Sequence, residues 1–277
     1  MKSWLRVPTV ALAVGLLAAG CTSTPPVEPP SPTPEAALPV VTSTLAATSP
    51  ASPQLPPAQS EAILILNPGA GSRLTSPFRL SGEADATFEQ TLAVRVFGMD
   101  GTQLASTSTT IAADPGQRGQ FALDLPLDVS ADTQVLVQVF STSARDGGLT
   151  HLASVGAVVM PSGTPQIVPG VVHAEDIQIL EPIAGQSVEG GMAHIEGFGI
   201  GTFENTLKAE VYDSGGNMVG SMPLIVSAPD MGQPGPFAVD IPYATGQAGP
   251  GRIVVRDQSP AFGGDVHLAS VEINLAP

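Results

Sequence analysis

The sequence predicts an all-β chain in which a disordered proline-rich stalk leads into two tandem β-sandwich domains. Three observations point there. Glycine and proline number 30 and 28 in 277 residues, about a fifth of the chain against a usual share of roughly 12%, which suits short strands and many turns. Apolar and polar residues alternate in short runs that turn signals interrupt roughly every 8–14 residues. The second half of the chain also repeats the first, block by block.

The amino terminus carries Lys2 and Arg6, then an apolar run from Val7 to Ala19, 13 residues long, then Gly20 and Cys21. Spanning a bilayer takes about 20 apolar residues, so the run fits the hydrophobic part of a signal peptide over residues 1–20. Ala18, Ala19 and Gly20 before Cys21 resemble a bacterial lipobox, with alanine at 18 where leucine is usual. The resemblance implies that Cys21 is acylated and becomes the new N-terminus, giving a lipoprotein held at the cell membrane and facing away from the cytoplasm. An ordinary secretory signal with an incidental cysteine, or an uncleaved anchor, are the alternatives. Two or three acyl chains anchor durably, at about 0.8 kcal/mol per buried methylene. The membrane is thus one expected partner. Cys21 is the only cysteine, which excludes an intramolecular disulfide and a cysteine-based zinc site.

Residues 21–60 are mostly Pro, Ser, Thr and Ala, with 11 prolines. That composition cannot bury a core and favours extended polyproline II, so this stretch is expected to be a disordered stalk. At about 3.1 Å per residue it could reach on the order of 120 Å.

Residues 61–161 form the first expected domain, with strands near 63–66, 78–82, 92–98, 103–110, 121–125, 134–140 and 151–159. Leu92, Val94 and Val96 alternate with Ala93 and Arg95 and put one face inward. Asp100-Gly101 supplies a hairpin turn. Seven strands in about 100 residues with Pro/Gly-rich edges favour an immunoglobulin-like sandwich over a barrel. There is no disulfide or mature-chain tryptophan to fill it, so Phe88, Phe121, Phe140 and their counterparts are expected to supply bulk.

After a linker over residues 162–173, residues 174–277 repeat the pattern, with Ser214-Gly215-Gly216 as a hairpin turn. Ile65 to Gly71 matches Ile179 to Gly185 at an offset of 114. Thr87 to Leu92 matches Thr202 to Leu207 at 115, and Phe121 to Pro126 matches Phe237 to Pro242 at 116. His151-Leu152-Ala153-Ser154-Val155 recurs unchanged as His267-Leu268-Ala269-Ser270-Val271. Each copy is therefore expected to hold its own core and to fold alone.

Both copies resemble the immunoglobulin-like domain of bacterial spore-germination proteins. The first carries Ile63, Pro68, Gly71, Leu74, Gly82 and Phe88-Glu89-Gln90-Thr91. The second carries Ile177, Pro182, Gly185, Val188, Gly197 and Phe203-Glu204-Asn205-Thr206. Gly119-Gln120-Phe121 and Gly235-Pro236-Phe237 also fit. The resemblance implies a sandwich fold and a germination-related module; no separate germination domain is visible beside it.

Chemistry is less legible. A formal charge of −15 argues against a nucleic-acid partner, because the phosphate backbone selects clustered Lys and Arg. Residues 62–161 hold 9 acidic and 5 basic groups, and residues 174–277 hold 13 and 3, which suits solubility or, more sharply, a basic partner or weakly held divalent cations near the second domain. His151, His173, His194 and His267 stand in no zinc or calcium spacing, so no metal and no cofactor is expected. No nucleophile elbow is present, and two small sandwiches offer little catalytic cleft. His151 and His267 hold equivalent places and either open the last strand of each copy or form a site. Glu89 and Glu204 are expected to close their loops by accepting backbone N–H groups, helped by the Thr91 and Thr206 hydroxyls; ligand contact is the alternative. The leading expectation is a non-enzymatic interaction or scaffold lipoprotein with an unidentified envelope protein partner. A glycan-binding module for peptidoglycan or exopolysaccharide comes second, and a hydrolase third.

Overall fold

The computed structural model describes residues 59–201, 203–261 and 263–277. The signal peptide, Cys21 and all but the last two residues of the expected stalk lie outside the described residues.

The first repeat contains β1 (Ile63–Asn67), β2 (Ser72–Thr75), β3 (Phe78–Ala84), β4 (Thr91–Gly98), β5 (Gln103–Thr110), β6 (Gly119–Leu125), β7 (Thr133–Thr142) and β8 (Leu149–Met160). One sheet runs β1-β3-β6; the facing sheet runs β8-β7-β4-β5, with β2 added parallel to β8. The second repeat contains β9 (Ile177–Glu181), β10 (Ser187–Val188), β11 (Met192–Gly199), β12 (Thr206–Tyr212), β13 (Met218–Ile225), β14 (Gly235–Pro242), β15 (Gly249–Gln258) and β16 (Asp265–Leu275). Its order is the same: β9-β11-β14 against β13-β12-β15-β16, with β10 parallel to β16. The all-β, immunoglobulin-like fold expected from the sequence is what forms, and the seven strands read in the first repeat are all present. The sequence reading missed β2, whose four residues bury only Ser72 and Leu74 and are too few to show an alternation.

Each sandwich encloses its own apolar cluster. In the first, Leu92, Val94 and Val96 point inward from β4 against Val135, Val137 and Val139 of β7. In the second, Leu207, Ala209 and Val211 meet Ile253 and Val255. Gly82 and Gly197 mark the same close approach in both: a Cβ at either would sit 2.0 or 2.1 Å from the carbonyl oxygen of Leu64 or Gln178. The ring of Phe121 or Phe237 lies over that glycine. Phe121 and Phe237 do fill the cores, but Phe88 and Phe203 do not. They are 62% and 47% exposed, because each sits in a tight turn before β4 or β12 whose inward position belongs to another residue. Phe140 is buried, yet outside the first core, in a cluster shared between the repeats.

Residues 162–173 are tied to the first repeat. Arg73 and Gln166 exchange backbone hydrogen bonds, Gly69 N–H donates to Val168 O, and Gly170 N–H donates to Leu66 O. The buried Ser72 hydroxyl donates to Gly69 O and accepts from Val168 N–H.

Candidate functional site

The two repeats meet where their identical His-Leu-Ala-Ser-Val blocks cross. β8 and β16 pair antiparallel, with Leu152 opposite Leu268 and His151 opposite Ala269. This pairing joins the large sheets of both sandwiches into one ten-stranded sheet. Phe140, Leu152, Val254 and Leu268 pack into a buried cluster at the crossing. Ser154 donates to Val266 O at 2.7 Å, and Ser270 donates to Thr150 O at 2.8 Å. These two bonds are one contact made twice with the repeats exchanged, since each pair of positions is related by the offset of 116. The junction therefore has approximate two-fold symmetry about Leu152 and Leu268, as an isologous dimer interface does.

On one side of this axis lie four ionisable residues. His151 and His267 meet edge to face, ring centroids 5.3 Å apart. Glu61 and Glu175 come from the segments just before β1 and β9, which bridge to each other through Ser60 and Ala174 and through Glu175 N–H to Gln59 O. Each carboxylate ties one oxygen to the backbone of the opposite repeat: Glu175 Oε2 accepts Ala62 N–H at 2.9 Å, and Glu61 Oε2 accepts Asp176 N–H at 3.2 Å. The other oxygens face the imidazoles. Glu61 Oε1 is 2.8 Å from His151 Nε2 and 3.8 Å from His267 Nε2. Glu175 Oε1 is 3.1 Å from His267 Nε2 and 3.6 Å from His151 Nε2.

Glu61 is only 1% exposed, and a carboxylate so placed is strongly destabilising unless paired and hydrogen-bonded. Burial pushes its pKa up, but the His151 hydrogen bond and the charges of both imidazoles outweigh burial, and the net shift is downward. Burial likewise disfavours charged His267. The Glu175 hydrogen bond and the charges of Glu61, Glu175 and Asp176 win, so it is pushed up to about 9. Two cavities flank the group in matching positions. One, about 450 Å³, is bordered by Glu61, Ile63, Ala153 and His267. The other, about 330 Å³, is bordered by His151, Glu175, Ile177 and Ala269.

A second ionic contact crosses the junction. The hairpin between β7 and β8 carries Asp146 to Arg252 of β15, at 2.9 Å with both side chains buried, while Arg145 pairs with Glu272. Gly148 lets the guanidinium in, since a Cβ there would fall 2.0 Å from Arg252 Nη2. Burial raises the Asp146 pKa, but the Arg252 hydrogen bond and the Gly148 N–H more than reverse this and bring it to about 2.

The structure thus brings His151 and His267 together and keeps Glu89, Thr91, Glu204 and Thr206 apart from them. The expectation that Glu89 and Glu204 close their loops with their carboxylates is corrected. Both side chains are exposed, and among the described residues neither carboxylate accepts a backbone N–H. The Thr91 and Thr206 hydroxyls donate to the backbone carbonyls of Glu89 and Glu204 instead. In the first repeat the inward position belongs to Gln90. Its amide nitrogen donates to Asp114 O and Gln117 O at 3.0 Å each, and its oxygen accepts Thr87 N–H. The Tyr212 hydroxyl donates to Glu210 and the Tyr243 hydroxyl to the Val188 and Ala276 carbonyls. Glu61 and Glu175 had no motif to reveal them beyond their equivalence at an offset of 114.

Residues 62–148 match the family model of the immunoglobulin-like domain of bacterial spore germination. That domain ends before the shared block of β8 and covers only the first repeat. No curated protein matches the chain. Among solved structures, red sea bream transglutaminase aligns with 78% of this chain and 31% of its own, at 10% identity and a TM-score of 0.28. Dimeric latent PorU from Porphyromonas gingivalis aligns with 78% of this chain and 24% of its own, at 11% identity and a TM-score of 0.24. The chain spans about a third or less of the length of either.

Proposed function

We propose that the chain is a non-enzymatic interaction module of the bacterial envelope, lipid-anchored through Cys21, with both repeats of the germination-associated immunoglobulin-like type. The observation that carries this reading is the apolar edge of the ten-stranded sheet at β13, where only Val219 O is taken, by Ala244 N–H, among the backbone bonds of the described loops. Sheet edges in soluble proteins are protected by charge, proline or bulges; β13, Met-Val-Gly-Ser-Met-Pro-Leu-Ile, carries no charge and exposes Met218, Met222 and Ile225. Phe203 and Pro223 border a groove of about 280 Å³ beside it. Clustered exposed apolar side chains mark docking surfaces, and flexible methionines adapt to a partner. Pro223 removes a donor from the edge, so a protein partner would dock through side chains here more than by adding a full strand.

A photo-crosslinking residue at Met222 in the membrane-bound chain tests the reading, with one at Thr107 on the opposite edge strand as control. A discrete protein adduct from position 222 alone is expected. Adducts equally from both positions, or from neither, would defeat it. For the anchor, intact-mass measurement of membrane-purified chain should show residues 1–20 removed and acyl mass added at Cys21. A Cys21→Ala chain that still fractionates with the membrane would argue against that part.

A further inference from the structure

We propose that Glu61, His151, Glu175 and His267 form a divalent transition-metal site that clasps the two repeats, with zinc as the best-fitting ion. The inference is independent of docking at β13. One donor atom from each residue, Nε2 of the histidines and a carboxylate oxygen of the glutamates, lies within 4.8 Å of all the others. The four nitrogen–oxygen separations of 2.8, 3.1, 3.6 and 3.8 Å straddle about 3.3 Å. That is the edge of a tetrahedron whose metal–ligand bonds measure about 2.0–2.1 Å, the zinc distances to imidazole and carboxylate. Imidazole donors favour zinc and its transition-metal neighbours over magnesium and calcium.

Charge balance agrees. Within the four ligands, two buried carboxylates and one divalent ion sum to zero with both imidazoles neutral, which is the ligating form, and Asp176 adds a further negative charge nearby. The second carboxylate oxygens are already fixed by backbone N–H groups of the opposite repeat, the kind of outer support that orients metal ligands. All four ligands also stand on or beside paired strands, so the site is preorganised. One histidine and one glutamate come from each repeat, so the site exists only when the repeats are docked. The two flanking cavities supply a way in.

The test is titration of the chelator-treated full chain with Co²⁺ alone, followed by displacement with Zn²⁺. One equivalent of Co²⁺ should bind with the intense visible absorption of a tetrahedral centre, Zn²⁺ should abolish it, and the thermal midpoint should rise with Zn²⁺ concentration. His151→Gln and His267→Gln should each weaken binding by more than about tenfold. His194→Gln, in an exposed group with Asp240 and Glu196, and His173→Gln, beside Asp176, should leave binding unchanged. No stoichiometric uptake by the folded chain would overturn the proposal, as would loss of binding in either of those last two variants. Should the junction variants not fold, X-ray absorption of the Zn²⁺-loaded parent chain decides. A shell of two imidazoles with carboxylate oxygens supports the site, and a shell with one imidazole or none overturns it.

Discussion

Gln90 shows how two neighbouring residues divide their duties in a turn. Glu89 and Gln90 both take left-handed backbone conformations, with φ of 54° and 52°, so the period-two rule that places β4 side chains stops at Thr91. The Phe-Glu-x-Thr block was visible in the sequence, but which of its polar side chains faces inward depends on that backbone reversal, which no composition or spacing encodes. Gln90→Ala removes a donor to the Asp114 and Gln117 carbonyls and the acceptor of Thr87 N–H and should cost about 1–3 kcal/mol. Glu89→Ala, at an exposed position, should stay within about 0.5 kcal/mol. Urea denaturation of the full chain compares them, and the opposite ranking would restore a structural role to the carboxylate. At the crossing, Leu152→Ala should cost about 2–5 kcal/mol as a buried truncation, although Leu152 belongs to neither sandwich core.

At the scale of elements, the strands were legible and their pairing between repeats was not. Alternation of Leu92, Val94 and Val96 depends on local sequence, so β4 could be placed within a residue. The pairing of β8 with β16 depends on two sheet edges meeting and on Phe140, Leu152, Val254 and Leu268 packing outside both cores, and its only sequence trace is the unchanged His-Leu-Ala-Ser-Val block. That block now has a physical account. Its histidine enters the ionic cluster, its leucine sits on the axis, and its serine makes the reciprocal bond, while its alanine and valine pack into their own sandwich core. The Asp146–Arg252 contact gives the pairing a pH dependence. The carboxylate pKa is lowered from 3.8 to about 2 on folding, so the stabilisation is present above the unfolded value and is lost as pH falls through about 2. The stability difference between the parent chain and Asp146→Asn, measured by denaturant midpoints, should therefore be full near neutrality and shrink between about pH 4 and pH 2. A difference that stays constant down to pH 2 would remove Asp146 as its source.

For the whole molecule, the repeat predicts two units that fold alone, and two apolar clusters are present. The junction adds a third cluster, a strand pairing, two buried ionic contacts and reciprocal hydroxyl bonds, all of which an isolated repeat would lose. Arg252 is 2% exposed, so without Asp146 it is a buried charge with its closest counter-ion gone, a loss that typically costs about 3–5 kcal/mol. The tandem thus behaves as a dimer made from one chain, its two halves fixed in register. Scanning calorimetry of the full chain beside Asp146→Ala tests this most directly. One cooperative transition is predicted, with calorimetric and van't Hoff enthalpies in agreement and a midpoint more than about 5 °C lower in the variant. Two separate transitions in the parent chain, with the substitution moving only one of them, would contradict it.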